Sequence, residues 1–307
     1  MIRGGAQVNQ IGMGLREPMH EWAVILAGGD GTRLQELSYK FSGDRRPKQF
    51  CAFFGGKSLL THTRERLEPL FLEEHTIFVL SGAHETYYWG ELSDVRPSQQ
   101  LVQPSNRGTA PAIAFSVLEI LQRDPGATIA FFPSDHHYAE SSIFHGTVDR
   151  ALRLAKNHED RVLIVGAPAS YPEVEYGWIQ PGPTLIECLS NPLQLVSRFW
   201  EKPSLATARA LQRSGCLWNT FVTIGSADAF LQLLAATVPD VIQAICTGLS
   251  DSALGRIYSE LEPGDFSKDV LSAAPERLLV LRDGLSGWTD FGSPQRAMNV
   301  LGALTAS

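Results

Sequence analysis

The sequence predicts an α/β fold in which a mostly parallel sheet is covered by helices on both faces. Short apolar runs of strand length alternate with longer segments whose apolar residues recur at helical spacing. The first apolar run ends in glycines, as a buried strand commonly does. Because this alternation is the pattern of repeated strand–helix–strand units, it argues for a parallel sheet.

Regular structure is predicted to begin at Trp22, where the first apolar run starts. The strands predicted in the first half of the chain are 22–27, 76–81, 128–132 and 161–166. The helices that alternate with them are 57–70, 109–122 and 143–157. Strand-like pieces over 174–201 then surround a loop rich in proline and glycine, and we interpret them as an insertion beside the main sheet. The last predicted elements are helices at 204–213, 226–236, 238–247 and 251–261, a strand near 278–282 and a helix over 293–301.

The chain has 307 residues, a length that one large α/β domain can have. Residues 1–20 contain four glycines and no strong apolar run, which predicts a flexible N-terminal arm with Met19 as an alternative start. Residues 21–307 are predicted to form one domain, because no linker, repeat or low-complexity tract interrupts them.

Composition argues against several functional classes. The formal net charge is −7 and no run of Lys or Arg stands out, so we expect no nucleic-acid partner. No stretch approaches the ~18 apolar residues of a membrane span, and Arg3 lacks the apolar run of a signal peptide. Cys51, Cys188, Cys216 and Cys246 form no CxxC pair, which disfavours zinc and suits reduced thiols. These observations predict a cytoplasmic protein with no membrane partner.

A glycine-rich loop, LAGGDGTRL over 26–34, follows the first predicted strand directly. Its glycines let the backbone approach a ligand closely, and successive N–H groups can surround phosphate oxygens. It is not a P-loop, because Arg33 follows Gly31-Thr32 where that motif needs GK[ST]. It also lacks the third glycine of a dinucleotide-binding loop, since Leu34 stands there. The loop is a phosphate loop of another type or a plain turn.

A second motif, RRPKQF over 45–50, follows within one loop length. Arg33 and Lys48 can therefore converge on one polyphosphate, as the transfer of a charged group requires. The alternative is a solvated basic turn, although the two motifs together are more specific than either alone.

Two aspartates are candidates for a metal site. Asp135 follows a buried strand, at the sheet edge where open α/β sheets bind ligands, and Asp290 lies in a glycine-flanked loop. Carboxylates suit Mg²⁺, which usually binds through one or two of them plus substrate phosphates. The alternative for each is a cap or an Asx-turn. We interpret His136 and His137 as structural, because no further zinc ligand lies at suitable spacing.

The two motifs resemble the signature of the sugar-1-phosphate nucleotidyltransferases, and PKQF resembles the mannose-1-phosphate guanylyltransferase branch. The further segments that resemble this branch are QPSNRGTAPAI (103–113), PSDH (133–136), YGWI (176–179), FWEKP (199–203), WNT (218–220) and WTDFGS (288–293). They follow the family order over nearly the whole chain, from about residue 22 to 293.

The resemblance implies a Rossmann-like sheet with a smaller β-rich sugar-binding subregion. It implies that GTP and mannose 1-phosphate give GDP-mannose and pyrophosphate, with Mg²⁺ held by Asp135 and Asp290. The implied catalytic residues are Arg33, Lys48, Asp135 and Asp290. The implied nucleotide-binding residues are Ala27, Gly28, Gly29, Gly31, Thr32, Gln103, Arg107, Gly108 and Thr109. The implied sugar-phosphate-binding residues are Gly177, Glu201, Lys202 and Asn219. We allow for a homodimer, and expect no β-helix or isomerase domain because the chain ends soon after its last predicted helix.

Adjacent side chains on a strand point to opposite faces, so Glu201 and Lys202 can share a site only where the strand has ended or bends. Pro203 makes such an end plausible.

Two departures leave the substrates open. Gly108 stands where the branch usually has Asn, and Phe221 replaces the glycine that follows WNS. The departure at Gly108 concerns recognition of the base, and the departure at Phe221 concerns recognition of the hexose. UTP, dTTP and glucose 1-phosphate therefore remain alternative substrates. A non-catalytic regulatory subunit is the alternative from another class. It is disfavoured because the phosphate-binding cations and both aspartates are present.

Overall fold

A nine-stranded sheet forms the centre of the protein in a computed structural model, which describes residues 20–188, 191–250 and 253–306. The strands are β1 (Glu21–Leu26), β2 (Thr76–Ser81), β3 (Gln100–Gln103), β4 (Thr128–Pro133), β5 (His136–His137), β6 (Val162–Pro168), β7 (Gly177–Ile186), β8 (Leu193–Glu201), β9 (Leu217–Ser226), β10 (Leu278–Arg282) and β11 (Thr289–Asp290). The helices are α1 (Gln35–Ser42), α2 (Leu59–Leu67), α3 (Glu85–Tyr88), α4 (Thr109–Arg123), α5 (Ser141–Lys156), α6 (Leu205–Arg213), α7 (Ala227–Thr237), α8 (Pro239–Ser250), α9 (Leu254–Glu260) and α10 (Pro294–Ala306). Except for His20, the predicted N-terminal arm lies outside the described residues.

The strand order is β3-β2-β1-β4-β9-β6-β10-β8-β7, and β5 pairs separately with β11. Strands β1, β2, β3 and β4 are mutually parallel, as are β6 and β10. Strands β8 and β9 run against their neighbours. The predicted mostly parallel α/β sheet is therefore confirmed, with its antiparallel strands in the second half of the chain.

Two apolar layers cover the sheet, because successive side chains of a strand point to opposite faces. Ala23 and Ile25 of β1 belong to a core shared with α2, α5 and α6. Trp22 and Val24 belong to a second core shared with α4, α7 and α8. This arrangement explains why β1 and β4 read as continuous apolar runs, since both faces of each strand are buried.

The segment 174–201 is not an insertion beside the sheet, as we had interpreted it, but part of the sheet itself. Strands β7 and β8 form an antiparallel hairpin in which β8 pairs with β10 and β7 also pairs with β9. The backbone groups of the hairpin are thus satisfied by strands that lie far away in sequence. The β-rich subregion is therefore a continuation of the central sheet at its edge.

Strand β9 lies in the chain between the predicted helices 204–213 and 226–236. It lies between β4 and β6 and pairs with both, which extends regular structure back to Leu217. Its register with β6 shifts between the pairs made by Ile164 and Gly166. Strand β3 and helix α1 are additional elements, each too short or too polar for periodicity to reveal.

Within the described part of the chain, no single helix is long and apolar enough to cross a membrane. Helices α7 and α8 reach that length and composition only as a pair, and they meet at an angle of 118°.

The buried indole of Trp178 on β7 provides a test of this architecture. Trp178 is 0% exposed and donates a hydrogen bond from Nε1 to the carbonyl of Glu173 at 2.8 Å. We expect Trp178→Ala to lower the free energy of unfolding by ~3–5 kcal/mol, because it creates a large cavity. Trp89 is 70% exposed, so the matched change Trp89→Ala should stay within about 0.5 kcal/mol. Urea unfolding measures both, and equal effects would contradict the placement of β7.

Candidate active site

A cavity of about 380 Å³ opens at the carboxyl ends of β1 and β4. The predicted site residues that line it are Gly28, Gly29, Gly31, Arg33, Lys48, Gln103, Gly108, Thr109, Asp135, Gly177, Glu201, Lys202, Asn219 and Asp290. The fold thus brings residues from both halves of the chain to one place, at the edge where open α/β sheets hold ligands.

Three predicted residues are placed elsewhere. Ala27 is buried behind the cavity, where its N–H donates to the carbonyl of Val79 at 2.8 Å. Thr32 lines a smaller neighbouring cavity of about 210 Å³. Arg107 turns away, donating from Nε to the carbonyl of Tyr258 at 2.6 Å and from Nη2 to that of Ser259 at 2.9 Å.

The glycine-rich loop packs directly against the RRPKQF segment. Gly31 has φ +60°, and a Cβ there would lie 2.9 Å from the backbone nitrogen of Lys48, so the position requires glycine. The buried amide of Gln49 donates to the carbonyls of Ala27 at 2.8 Å and Gly29 at 2.7 Å. Gln49 therefore holds the glycine-rich loop in place. This role cannot be recognised from the sequence alone.

Lys48 and Asp135 form an ion pair in the wall of the cavity. Nζ of Lys48 lies 2.6 Å from Oδ2 of Asp135 and donates to the carbonyl of Phe291 at 2.9 Å. Burial opposes ionisation of Asp135, but Lys48 and His136 outweigh it and hold the pKa of this carboxyl below its usual value. Arg33 is more exposed and pairs with Glu175 on the opposite wall.

Asp290 reaches the same place from the far end of the chain. Strand β11 pairs antiparallel with β5, which sets Asp290 opposite His136, and the N–H of Phe291 donates to the carbonyl of Asp135 at 3.4 Å. The two carboxylates therefore come from neighbouring segments. No group of three or more His, Cys, Asp or Glu that could hold a metal occurs among the described residues. Two carboxylates still fit Mg²⁺, because water and phosphate oxygens commonly complete its coordination.

Asp290 is held by two residues that were not among the predicted site residues. Oδ1 accepts from the hydroxyl of Tyr176 at 2.8 Å and from Nε of Arg296 at 2.6 Å. Arg296 also donates from Nη1 to Oε2 of Glu173 at 2.9 Å. Burial would lower the pKa of Arg296, but Asp290 and the other acidic neighbours outweigh burial and raise it. Tyr176 lies inside the YGWI segment, whereas no motif marks Arg296.

Glu201 and Lys202 both line the cavity, as the sequence requires of a strand that ends there. Strand β8 stops at Glu201, and Lys202 adopts φ 46° while its N–H donates to the carbonyl of Tyr176 at 3.2 Å. Nζ of Lys202 lies 3.2 Å from Oε1 of Glu201. Burial raises the pKa of Glu201, and Lys202 partly opposes that effect. A Cβ on Gly177 would lie 2.9 Å from Glu201 Oε2, so glycine makes room for this carboxylate.

Asn219 lies inside strand β9. Its side chain is almost buried, accepts at Oδ1 from the N–H of Phe221 at 3.0 Å and donates to Oγ of Ser267 at 3.5 Å. Phe221 has φ 66°, so the backbone is locally irregular where β9 passes the cavity. Asn219 and Phe221 both line the site, as residues two positions apart on one strand can.

The departure at Gly108 has a steric explanation. Gly108 has φ +86°, and a Cβ there would overlap the carbonyl oxygen of Gly264. That carbonyl accepts from the N–H of Ala110 at 3.1 Å, and Oγ1 of Thr109 accepts from the N–H of Phe266 at 2.8 Å. The segment around Gly264 therefore occupies the space that an Asn side chain would need.

Several lining residues were not among the predicted site residues. Asn106 and Trp288 lie within the recognised motifs, whereas nothing in the sequence marks the segment that contributes Asp265 and Ser267. The lining residues outside the prediction are Leu26, Gln49, Val79, Asn106, Ala112, Pro133, Ser134, His136, Glu175, Tyr176, Phe221, Asp265, Ser267 and Trp288.

The sheet order and the position of the cavity define an α/β protein of the Rossmann-like class. The sequence profile of the family described as nucleotidyl transferase matches residues 22–306. The chain belongs to this nucleotidyl transferase family, which confirms the predicted resemblance.

The chain is similar to several known proteins. It is 30% identical over 283 residues to a mannose-1-phosphate guanylyltransferase of Klebsiella pneumoniae, a match that covers 88% of this chain and 58% of the relative. It is 28% identical over 289 residues to the xanthan biosynthesis protein XanB of Xanthomonas campestris pv. campestris, covering 90% and 58%. The chain thus spans under two thirds of the length of these curated relatives. A crystal structure from Thermus thermophilus, described as a mannose-1-phosphate geranyltransferase, superposes with a TM-score of 0.78 at 30% identity, covering 89% of this chain and 77% of that one.

The pair of Lys48 and Asp135 gives a test of the site's electrostatics. We expect Lys48→Met to lower the free energy of unfolding by roughly 3–5 kcal/mol, because it leaves a largely buried carboxylate without its cation. Lys48→Met combined with Asp135→Asn should cost clearly less than the sum of the two single changes. Chemical unfolding of the three variants measures this coupling, and additive effects would show that the pair is not coupled.

Proposed function

We propose that the protein transfers GMP from GTP to mannose 1-phosphate, giving GDP-mannose and pyrophosphate. One observation carries this proposal: a single cavity is lined by the glycine-rich loop, Lys48, the two aspartates and the Glu201–Lys202 pair. A donor polyphosphate and an acceptor phosphate can therefore lie side by side. The naming of relatives as mannose-1-phosphate guanylyltransferases supports the choice of substrates.

The chemistry asks the protein for positioning and charge stabilisation rather than covalent participation. A phosphate oxygen of mannose 1-phosphate attacks the α-phosphorus of GTP. The bond between the α-phosphorus and the oxygen that bridges to the β-phosphorus breaks, and pyrophosphate leaves with that electron pair. Lys48 and Arg33 stabilise the leaving group, and the N–H groups of the glycine-rich loop bind its oxygens.

A magnesium ion is part of this proposal. Asp135 and Asp290 would hold it, since their carboxylates lie on neighbouring segments and line the same cavity. When bound, magnesium neutralises charge on the phosphate oxygens. The protein itself balances the charge of both carboxylates. Lys48 pairs with Asp135, and Arg296 pairs with Asp290.

Lys202 holds the acceptor phosphate in this proposal, and Glu201 and Asn219 bind the hydroxyls of the hexose. Lys202 projects from a left-handed backbone position beside Glu201, so its ammonium and that carboxylate lie together at one wall. The raised pKa of Glu201 reflects a carboxylate that lacks full solvation, and hexose hydroxyls can supply the missing hydrogen bonds.

Guanine lies against Gln103 and the backbone of residues 107–109 in this proposal. The guanidinium of Arg107 is already bonded to two carbonyls of the segment behind it, so its side chain is not available for the base. Buried Gln103 donates from Nε2 to the carbonyl of Leu80 at 3.4 Å and accepts from the hydroxyl of Tyr258 at 3.4 Å. These contacts are long, so a base edge can replace them with shorter ones.

A substrate panel tests the function directly. With mannose 1-phosphate fixed, we expect kcat/KM for GTP to exceed that for ATP or UTP by at least about tenfold for each lost contact. The reason is that a buried polar group left unpaired costs ~1–3 kcal/mol. Mannose 1-phosphate should be preferred over glucose 1-phosphate by a smaller factor, because the two differ at one hydroxyl. Pyrophosphate release measures every combination. Equal use of UTP and GTP would reject the guanylyl assignment while leaving nucleotidyl transfer intact.

The role of Lys202 is tested by varying each substrate separately. Lys202→Ala should raise KM for the sugar phosphate about ten- to a hundredfold, since a charge-assisted hydrogen bond contributes ~1.5–3 kcal/mol. KM for the nucleotide should change little. Lys57 is a matched control, because it is 50% exposed at its side chain against 47% for Lys202 and also pairs with a glutamate. An unchanged sugar-phosphate KM in Lys202→Ala would show that this role is wrong.

A further inference from the structure

Arg296 contacts three residues beside the candidate site, and the reaction proposed above uses it only to balance the charge of Asp290. Its guanidinium donates to both oxygens of Asp290, from Nε to Oδ1 at 2.6 Å and from Nη2 to Oδ2 at 3.4 Å. Nη1 donates to Glu173, and the guanidinium lies 4.8 Å from the centre of the Tyr176 ring. The residue is 8% exposed.

The backbone is shaped to accept this arrangement. A Cβ on Gly292 would overlap both Oδ2 of Asp290 and Nη2 of Arg296, so any other residue there would displace the pair. Glu173 is fixed in turn, because its Oε1 accepts from the N–H groups of Val174 at 2.8 Å and Glu175 at 2.9 Å. Arg296 therefore cannot turn away from Asp290 without breaking several contacts at once.

Both carboxylates assigned to the metal are thus engaged by cations of the chain itself. Lys48 neutralises Asp135, and Arg296 neutralises Asp290. The two cations differ in mobility. Lys48 ends in a flexible ammonium that can turn toward a phosphate and release Asp135, whereas the planar guanidinium of Arg296 is held on three sides.

We propose that Arg296 is a positioning residue that keeps Asp290 fixed and charge-balanced, so that a divalent cation binds this site only together with a nucleotide. The inference rests on the proposed function, because it assigns the metal to Asp135 and Asp290. Oδ1 of Asp290 accepts from both Arg296 and Tyr176, whereas Oδ2 makes only a longer contact of 3.4 Å with Arg296 and is the less strongly engaged oxygen. Its positive charge repels a cation from the free protein. A nucleotide supplies phosphate oxygens as ligands and draws Lys48 from Asp135, which makes the site anionic.

Direct binding of Mn²⁺, followed by its electron paramagnetic resonance signal, tests this without measuring turnover. The wild-type protein alone should bind Mn²⁺ weakly, and added GTP should tighten binding. Arg296→Met should bind Mn²⁺ without nucleotide at least about tenfold more tightly, because a unit charge a few ångströms from the metal is removed. Arg296→Lys keeps the charge but loses the planar guanidinium that bonds to two oxygens at once. Its Mn²⁺ affinity should therefore stay close to that of the wild type, while kcat falls.

Arg64→Met is the matched control, because Arg64 also makes a two-point pair with an aspartate, but this partner, Asp94, does not line the cavity as Asp290 does. If Arg296→Met is too unstable to study, the double variant that also carries Glu173→Gln replaces it. This variant loses one positive and one negative charge, so the local net charge is unchanged. It still frees Asp290, so it should also bind Mn²⁺ more tightly than the wild type. Thermal unfolding verifies that each variant is folded.

Unchanged or weaker Mn²⁺ binding in folded Arg296→Met, or tight binding by the wild-type protein alone, would overturn the proposal. A purely structural Arg296 would lower stability and leave Mn²⁺ affinity unchanged, so the two roles are separated. Failure of the proposed function looks different. No product would then form from GTP and mannose 1-phosphate, while the tightening of Mn²⁺ binding by GTP and the effect of Arg296→Met on the free protein would persist.

Discussion

Two largely buried carboxylates, Asp135 and Asp290, determine how the rest of the site must be arranged. Removing a charge from water is costly, and a buried carboxylate left without a partner is strongly destabilising. Lys48 and Arg296 compensate these charges, and they come from segments that are far apart in sequence. The RRPKQF segment and α10 must therefore both pack at the carboxyl edge of the sheet.

The backbone departs from regular geometry where side chains must point into the cavity. Lys202 and Phe221 have positive φ values of 46° and 66°, which residues with a Cβ adopt at a cost. Both lie at or near points where strands of the central sheet end or shift register. Pairing along β8 and β9 stabilises these conformations, because the strands fix the chain on at least one side. The wall of the site that we assign to the sugar phosphate thus depends on the hairpin formed by β7 and β8.

What could be predicted from the sequence was local in origin. Strands β1 and β4 are buried on both faces and read as apolar runs, and the loops that follow them carry motifs defined by adjacent residues. The condition that β8 must end at Glu201 also follows from strand geometry alone. Arg296 could not be found in this way, because a lone arginine near the start of α10 is indistinguishable from a solvated one until its partners are known. The hairpin was misplaced for the same reason, since its pairing partners β9 and β10 lie far along the chain.

The segment from Tyr258 to Ser267 joins the two ends of the cavity and explains several apparent anomalies together. Its carbonyls hold Arg107 away from the base end, and the approach of its Gly264 requires glycine at 108. Its far end reaches Asn219 through Ser267, and the ring of its Phe266 lies 6.1 Å from the ring of Phe221. One segment therefore contacts the residues at both positions where the chain departs from the related motifs. A substitution at Gly108 or at Phe221 must be accommodated by this shared segment, because both residues already pack against it.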